Sequence, residues 1–276
     1  MEQRAFGQPD LQLPVIGMGT WRTFDVRGQQ LEAARRQVVD RAQEYGARVV
    51  DSSPMYGEAE RVLGKALDGR RSQFFVATKV WTPDDHEAGR QVERALDYFG
   101  GTIDLYQVHN LVTWEKRLAM LEDLRERRKV RLIGVTSYRE LDFGTLIEVM
   151  ETGRVQAIQI PYNPLERAVE RSVLPRAREL GIGVLVMRPF AGGALVQQPP
   201  PAHELLAFEA FGVRTWAQAL LKWGLSNPLV HVAIPATSRP ERMVENAQAG
   251  NPPWLDEAAR ERVAFLAGRQ TQAGVV

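Results

Sequence analysis

The sequence predicts a closed (β/α)8 barrel, an α/β fold of the TIM-barrel type, and three observations carry that prediction. Eight short apolar runs alternate strictly with eight amphipathic helical stretches. The runs are nearly continuous Val, Ile and Leu, as expected of parallel strands covered on both faces. No linker or shift of composition interrupts the rhythm, so residues 1–276 are expected to form one barrel domain, with a short N-terminal β-hairpin and an extra C-terminal helix.

Taken in order, the segment near 4–13 reads as the hairpin, capping the barrel floor. The first barrel strand is expected at 15–19 (VIGMG) and the second at 47–52 (ARVVDS), with a helix over 31–45 between them. Strands follow at 73–80, 103–109, 130–136, 155–160, 182–187 and 229–235. Their helices are expected at 57–69, 86–99, 115–128, 139–150, 167–180, 213–226 and 240–249. Gly46, Gly69, Gly100, Gly153 and Gly181 stand just past helix ends, where glycine terminates a helix most readily. The stretch QQPPPAH at 197–203 cannot be helix interior and is expected to be a long loop on the face that carries the chemistry. The stretch 254–267 reads as the extra helix, packed outside the barrel.

Composition narrows the class. A net charge of +1, with 44% hydrophobic and 25% charged residues, is ordinary for a globular protein and gives no electrostatic footprint for nucleic acid or an anionic membrane. The basic run RERRKVR at 125–131 closes a helix, where the helix dipole favours cations, and is read as dipole-matched surface. With no cysteine there are no disulfides, thiol nucleophiles or cysteine metal sites, which fits a reducing compartment. The start MEQRAFGQPD has no apolar core for a signal peptide, and no apolar stretch approaches the ~18 residues of a membrane span. The expectation is a cytoplasmic protein with no membrane association and no obligate protein partner.

Four polar residues in one order point to chemistry. Asp51, Lys79 and His109 each follow or close an apolar run, and Tyr56 lies five residues past Asp51. In a parallel barrel the C-terminal strand ends share one mouth, so all four side chains would meet there. A phenol with pKa ~10 is a sluggish proton donor near neutrality. A Lys79 ammonium beside Tyr56 would favour the phenolate and lower that pKa, while Asp51 would hold the ammonium in place. A neutral His109 could donate a hydrogen bond to a carbonyl oxygen and orient it. Singly, each residue has another reading: Asp51 with Ser52 and Ser53 as a helix cap, Tyr56 as a packed loop aromatic, Lys79 as a solvated strand end, His109 as a core histidine. Jointly, those readings require four polar residues at neighbouring strand mouths by accident. No metal-spaced cluster, HExxH or GxSxG is present, and no metal is expected.

These residues sit in motifs that resemble the aldo-keto reductases. Asp51 with SSPMYGEAERVLGKAL at 52–67, ATKVW at 77–81, DLYQVHN at 104–110 and IPATSRPERMVENA at 234–247 are similar to that family's signatures and occur in its order, with GMGTW at 17–21 before them. The resemblance implies that Asp51, Tyr56, Lys79 and His109 form a catalytic tetrad, with Tyr56 as acid and hydride supplied by NADPH. It further implies that Ser137 and Gln159 hold the nicotinamide carboxamide, and that Thr237, Arg239, Arg242, Glu245 and Asn246 bind the adenosine end, Arg242 at the 2′-phosphate. Trp21 and Trp81 stand where the family lines its substrate cavity, or else pack the rim. Departures occur. Tyr138 replaces a common Asn, Met187 stands where an aromatic often stacks on the nicotinamide, and Ala236 replaces a lysine at the 2′-phosphate. Arg188 takes the place of a small hydroxyl residue and could reach the pyrophosphate.

The expected activity is therefore NADPH-dependent reduction of a small aldehyde or ketone. The cavity is expected to be open, shaped by Trp21, Trp81, the segment from Leu111 to Trp114 and the loop over 190–205. Two alternatives remain at this level: an NADP(H)-binding redox sensor resembling potassium-channel β subunits, or a sugar or polyol dehydrogenase running oxidatively on the same residues.

Overall fold

A computed structural model describes residues 1–273; the last three residues of the expected 1–276 domain lie outside the described residues. Strands β1 (Gln3–Ala5) and β2 (Gln12–Pro14) form an antiparallel hairpin with Arg4 opposite Leu13. Eight parallel strands follow: β3 (Met18–Gly19), β4 (Val49–Asp51), β5 (Phe75–Val80), β6 (Ile103–Val108), β7 (Val130–Thr136), β8 (Ala157–Pro161), β9 (Gly183–Met187) and β10 (Val232–Ala233). Each pairs with the next in sequence. Parallel bridges Ile16 to Ala233 and Gly19 to Ala236 join the last strand to the first and close the barrel.

The helices alternate with the strands: α1 (Gln29–Glu44), α2 (Ala59–Leu67), α3 (Asp85–Tyr98), α4 (Trp114–Glu126), α5 (Phe143–Glu151) and α6 (Val173–Glu179). After β9 come two single-turn helices, α7 (Ala194–Gln197) and α8 (Ala202–Leu205), then α9 (Trp216–Leu225), α10 (Pro240–Gln248) and the outer helix α11 (Glu257–Ala273). Among the described residues no helix is long and apolar enough to cross a membrane.

The period-2 alternation of the strands builds two apolar layers. Val49, Phe75, Ala77, Leu105, Leu132, Ala157, Leu185 and Val232 point into the barrel, and their neighbours pack outward against the helices. Phe6, carried in by the hairpin and fully buried, plugs the floor. Its ring meets Phe75 edge-on at 6.2 Å and His231 at 6.0 Å. Gly183 is required there, because a Cβ would lie 2.8 Å from the Phe6 ring.

Two sequence expectations need correction. The segment after β9 is not one long loop: Pro199–Pro201 separate α7 from α8, and 3₁₀ turns occupy Ala191–Gly193 and Leu206–Phe211. The prolines interrupt the helix without forbidding short turns on either side, since proline's fixed φ suits a helix start. Helices α5 and α6 are also shorter than expected, each entered through a 3₁₀ turn, Glu140–Asp142 and Ala168–Glu170.

One helix-to-strand joint differs from five others. After α1, α2, α3, α5 and α6 the left-handed position is a glycine, with φ between +67° and +79° at Gly46, Gly69, Gly100, Gly153 and Gly181. After α4 it is Arg128, at φ +57°. A side chain in that conformation costs roughly 1–2 kcal/mol.

Candidate active site

The C-terminal ends of β4, β5 and β6 bring the four sequence-predicted residues together. Asp51 closes β4, Lys79 is the penultimate residue of β5, and His109 follows β6; a 3₁₀ turn over Pro54–Tyr56 folds the phenol back over them. Ser53 starts that turn by accepting the Met55 N–H at 3.3 Å.

Lys79 Nζ donates to Asp51 Oδ2 and to the Ser52 carbonyl, both at 2.7 Å, and lies 5.2 Å from the Tyr56 ring centroid. The ion pair is almost wholly buried, with side chains 1% and 3% exposed. Burial works to lower the lysine's pKa, and Asp51 and Tyr56 outweigh it, so Lys79 stays a cation. Burial pushes Asp51 up against the pull of Lys79. Two buried amides steady the carboxylate: Gln107 Nε2 at 3.3 Å from Oδ1 and Gln159 Nε2 at 3.4 Å from Oδ2.

His109 stands edge-on to Tyr56, ring centroids 5.9 Å apart. Burial, with the Lys79 charge behind it, holds the imidazole down at about 2, so it is neutral. Its Nδ1 lies 3.0 Å from Ser53 Oγ. In the tautomer in which the Ser53 hydroxyl donates to Nδ1, Nε2 carries the proton and is the donating nitrogen.

One electrostatic expectation is overturned. Lys79 does pull the Tyr56 pKa down, but burial is the larger effect and the phenol ends above its ordinary value. Tyr56 is held as a neutral phenol beside an ammonium.

The remaining candidates spread around the same mouth. Trp21 and Trp81 follow β3 and β5 and stand 38% and 40% exposed at the rim, with the Arg22 guanidinium stacked 4.2 Å over Trp21. Ser137, after β7, is buried and donates to Asp142 Oδ2 at 3.0 Å. Met187 ends β9 against the inner core layer, and Arg188 beside it, at φ +55°, pairs with Glu166 at 3.2 Å. Thr237 Oγ1 accepts the Arg239 N–H at the start of α10; one turn on, Arg242 pairs with Glu245, and Asn246 is buried.

Four buried side-chain atoms among the described residues lack a hydrogen-bond partner: Tyr106 Oη, Gln107 Oε1, Gln159 Oε1 and Glu245 Oε1. Such atoms are costly unless something fills them. Gln159 and Glu245 belong to the set expected to hold a dinucleotide, and their free acceptors fit the amino groups of a carboxamide and of adenine. The residues present therefore suit a nicotinamide dinucleotide.

The sequence missed Gln107 and Thr20, whose hydroxyl lies 2.9 Å from Ser52 Oγ and 3.0 Å from the Asp51 carbonyl, and offered Ser53 only as a cap, a role it does fill. Gln107 carried a readable signal. It is polar inside an apolar run, two residues before His109, and so on the same face of β6.

Comparison with known proteins finds relatives in both sequence and structure. The profile of the Aldo/keto reductase family matches residues 15–264. The chain is 32% identical over 222 residues to an aldo-keto reductase of Bacillus subtilis (strain 168), a match covering 71% of this chain and 64% of that protein. It is 28% identical to the methylglyoxal reductase YeaE of Escherichia coli (strain K12), over 86% of each chain. The fold is shared with an aldo/keto reductase from Klebsiella pneumoniae crystallised with NADP and acetate, at TM-score 0.78 and 22% identity over 95% of this chain and 93% of that one.

Proposed function

The chain belongs to the aldo/keto reductase family and is an oxidoreductase acting on carbonyl groups; from that premise we propose that it reduces small, reactive aldehydes and ketones with NADPH, using Tyr56 as the proton donor. The observation that carries the reading is the buried Lys79–Asp51 pair set beneath the Tyr56 ring, with neutral His109 against its edge.

The chemistry divides among the residues. NADPH, when bound, supplies the hydride. Gln159 and Ser137 would hold its carboxamide, Glu245 and Asn246 its adenine, and Arg242 with Arg239 its 2′-phosphate, a task suited to planar guanidiniums. Tyr56 gives its proton to the carbonyl oxygen as negative charge builds there. Lys79 stabilises the phenolate left behind, so the ammonium lowers the cost of proton loss at the step where burial would otherwise raise it. Asp51 and the Ser52 carbonyl fix the ammonium, and Gln107 fixes Asp51. His109 donates from Nε2 to the same oxygen.

The substrate reading rests on the rim, where Trp21 and Trp81 are over a third exposed, and on the similarity to a methylglyoxal reductase. A small carbonyl compound in a broad, permissive cavity fits both.

The test is NADPH consumption, followed by absorbance, with methylglyoxal and an aromatic aldehyde, for the native protein and Tyr56→Phe. The native protein should turn over. The variant should bind NADPH normally and lose roughly 10²–10⁴ in kcat, the range for removal of a general acid. Near-native turnover in Tyr56→Phe would reduce Tyr56 to a packing role. NADPH binding without turnover would favour the sensor alternative.

A further inference from the structure

At the end of the barrel opposite Asp51, Tyr56, Lys79 and His109, where α4 runs into β7, lies an open surface hollow of about 340 Å³. It is walled by the N-terminal ends of β6 and β7 and lined by Thr102, Asp104, Arg125, Arg128, Lys129 and Arg131.

Four of those six side chains are cationic; Arg128, Lys129 and Arg131 are exposed, and Arg125 is half-buried near Glu122. The lone carboxylate, Asp104, is engaged elsewhere: its Oδ2 accepts from Arg71 at 2.8 Å and from the Val76 N–H at 2.9 Å. Arg125 donates its one side-chain hydrogen bond to a neutral amide oxygen, Gln156 Oε1, at 3.1 Å. Arg128, Lys129 and Arg131 have no side-chain hydrogen bond or ion pair among the described residues. Nearby arginines behave differently, as at Arg127–Asp123 (2.6 Å) and Arg154–Glu122 (2.8 Å).

A matched helix dipole accounts for Arg125, in the last turn of α4. It does not account for Arg131, beyond the joint on β7. Nor does it account for Arg128 occupying the left-handed position that five equivalent joints give to glycine. A non-glycine residue held in an unfavourable backbone conformation at the edge of a concave cationic surface points to a role for its side chain.

We propose that this hollow binds a small, multiply charged, phosphate-bearing anion, held by Arg128, Lys129 and Arg131. Guanidiniums present paired N–H donors to phosphate oxygens, and Lys129 adds a point charge. The site is independent of the cofactor reading, since it lies at the other end of the barrel.

The probes are inorganic pyrophosphate and a hexose bisphosphate, titrated calorimetrically at near-physiological salt into protein saturated with NADPH, so that the tetrad mouth is filled. The expected result is one saturable site for at least one probe, weakened about tenfold or more in Arg131→Gln and in Arg128→Gly, as loss of a charge-assisted contact implies. Tighter binding of the bisphosphate would assign an organic phosphate, and tighter binding of pyrophosphate an inorganic one. Arg128→Gly serves as its own folding control: with glycine in the left-handed position, its ligand-free melting temperature should rise while binding falls. Absence of saturable binding by either probe would overturn the proposal. Unchanged affinity in both variants would overturn it equally.

Discussion

Replacing Glu60 with glutamine should make the protein more stable at alkaline pH and leave it unchanged in acid. Glu60 lies on α2 behind the tetrad, 4% exposed, and its Oε1 accepts the Thr78 hydroxyl at 2.5 Å. Burial pushes its carboxyl up from 4.5 to about 7, against the opposing pull of Thr78 and Lys79. Between those two values the folded protein keeps a proton that the unfolded chain releases. The carboxyl's contribution is therefore fully present below about 4.5, lost as pH rises to about 7, and constant beyond. A displacement from 4.5 to about 7, at about 1.4 kcal/mol per pKa unit, amounts to a penalty on the order of 3 kcal/mol at pH 8. Glutamine keeps the shape and the acceptor for Thr78 but cannot ionise. Urea denaturation of both proteins at several pH values from 4 to 8 isolates the effect, because every other titrating group cancels in the difference. The stability gap should open from near zero at the acid end to that magnitude at pH 8. A gap that does not vary with pH, or a variant less stable at pH 8, would refute the account.

Three other outcomes follow from the site. Lys79→Met should destabilise by roughly 3–5 kcal/mol, because it strands a buried carboxylate, and adding Asp51→Asn should recover part of that loss in denaturant titrations. Since His109 is held neutral far below its ordinary range, kcat should show no inflection near pH 6.5; one that vanished in His109→Gln would contradict the neutral-donor role. Arg242→Ala should weaken NADPH about tenfold in fluorescence titration and leave NADH affinity unchanged, the size of one charge-assisted contact; equal loss for both dinucleotides would remove the 2′-phosphate assignment.

The barrel was legible in the sequence because both of its requirements are written locally. Strands such as FVATKV and IDLYQV are apolar on both faces, and glycine marks five of the helix ends. The clustering of Asp51, Tyr56, Lys79 and His109 was legible because a parallel barrel brings the C-terminal ends of successive strands to one mouth. Three-dimensional effects were not. The sequence places Lys79 beside Tyr56 and so predicts a lowered phenol pKa, but the burial that reverses the sign depends on how the 3₁₀ turn seats the ring. The Ser53–His109 contact depends on the same turn. Around Pro199–Pro201, proline excluded a continuous helix correctly but could not reveal the single turns on either side. The run at 125–131 reads as ordinary dipole-matched surface until the backbone shows Arg128 where a glycine belongs.

The barrel seam has a consequence for how the chain is made. β3 and β10 are only two residues each, and their junction is held by the amides of Gly17, Gly19 and Ala233. Behind it, Glu2 bonds to Gly250 and Trp254, and Arg4 reaches the carbonyls of Leu225 and Val230. The first barrel strand to be synthesised thus waits for the last before its outer edge is covered. Until residue 233 has emerged, that edge is an open template for pairing with a neighbouring nascent chain. Its brevity limits the hazard: two residues offer a stray strand little to zip onto, and the staples that complete the seam come from residues 225–254, after nearly all of the barrel has been made.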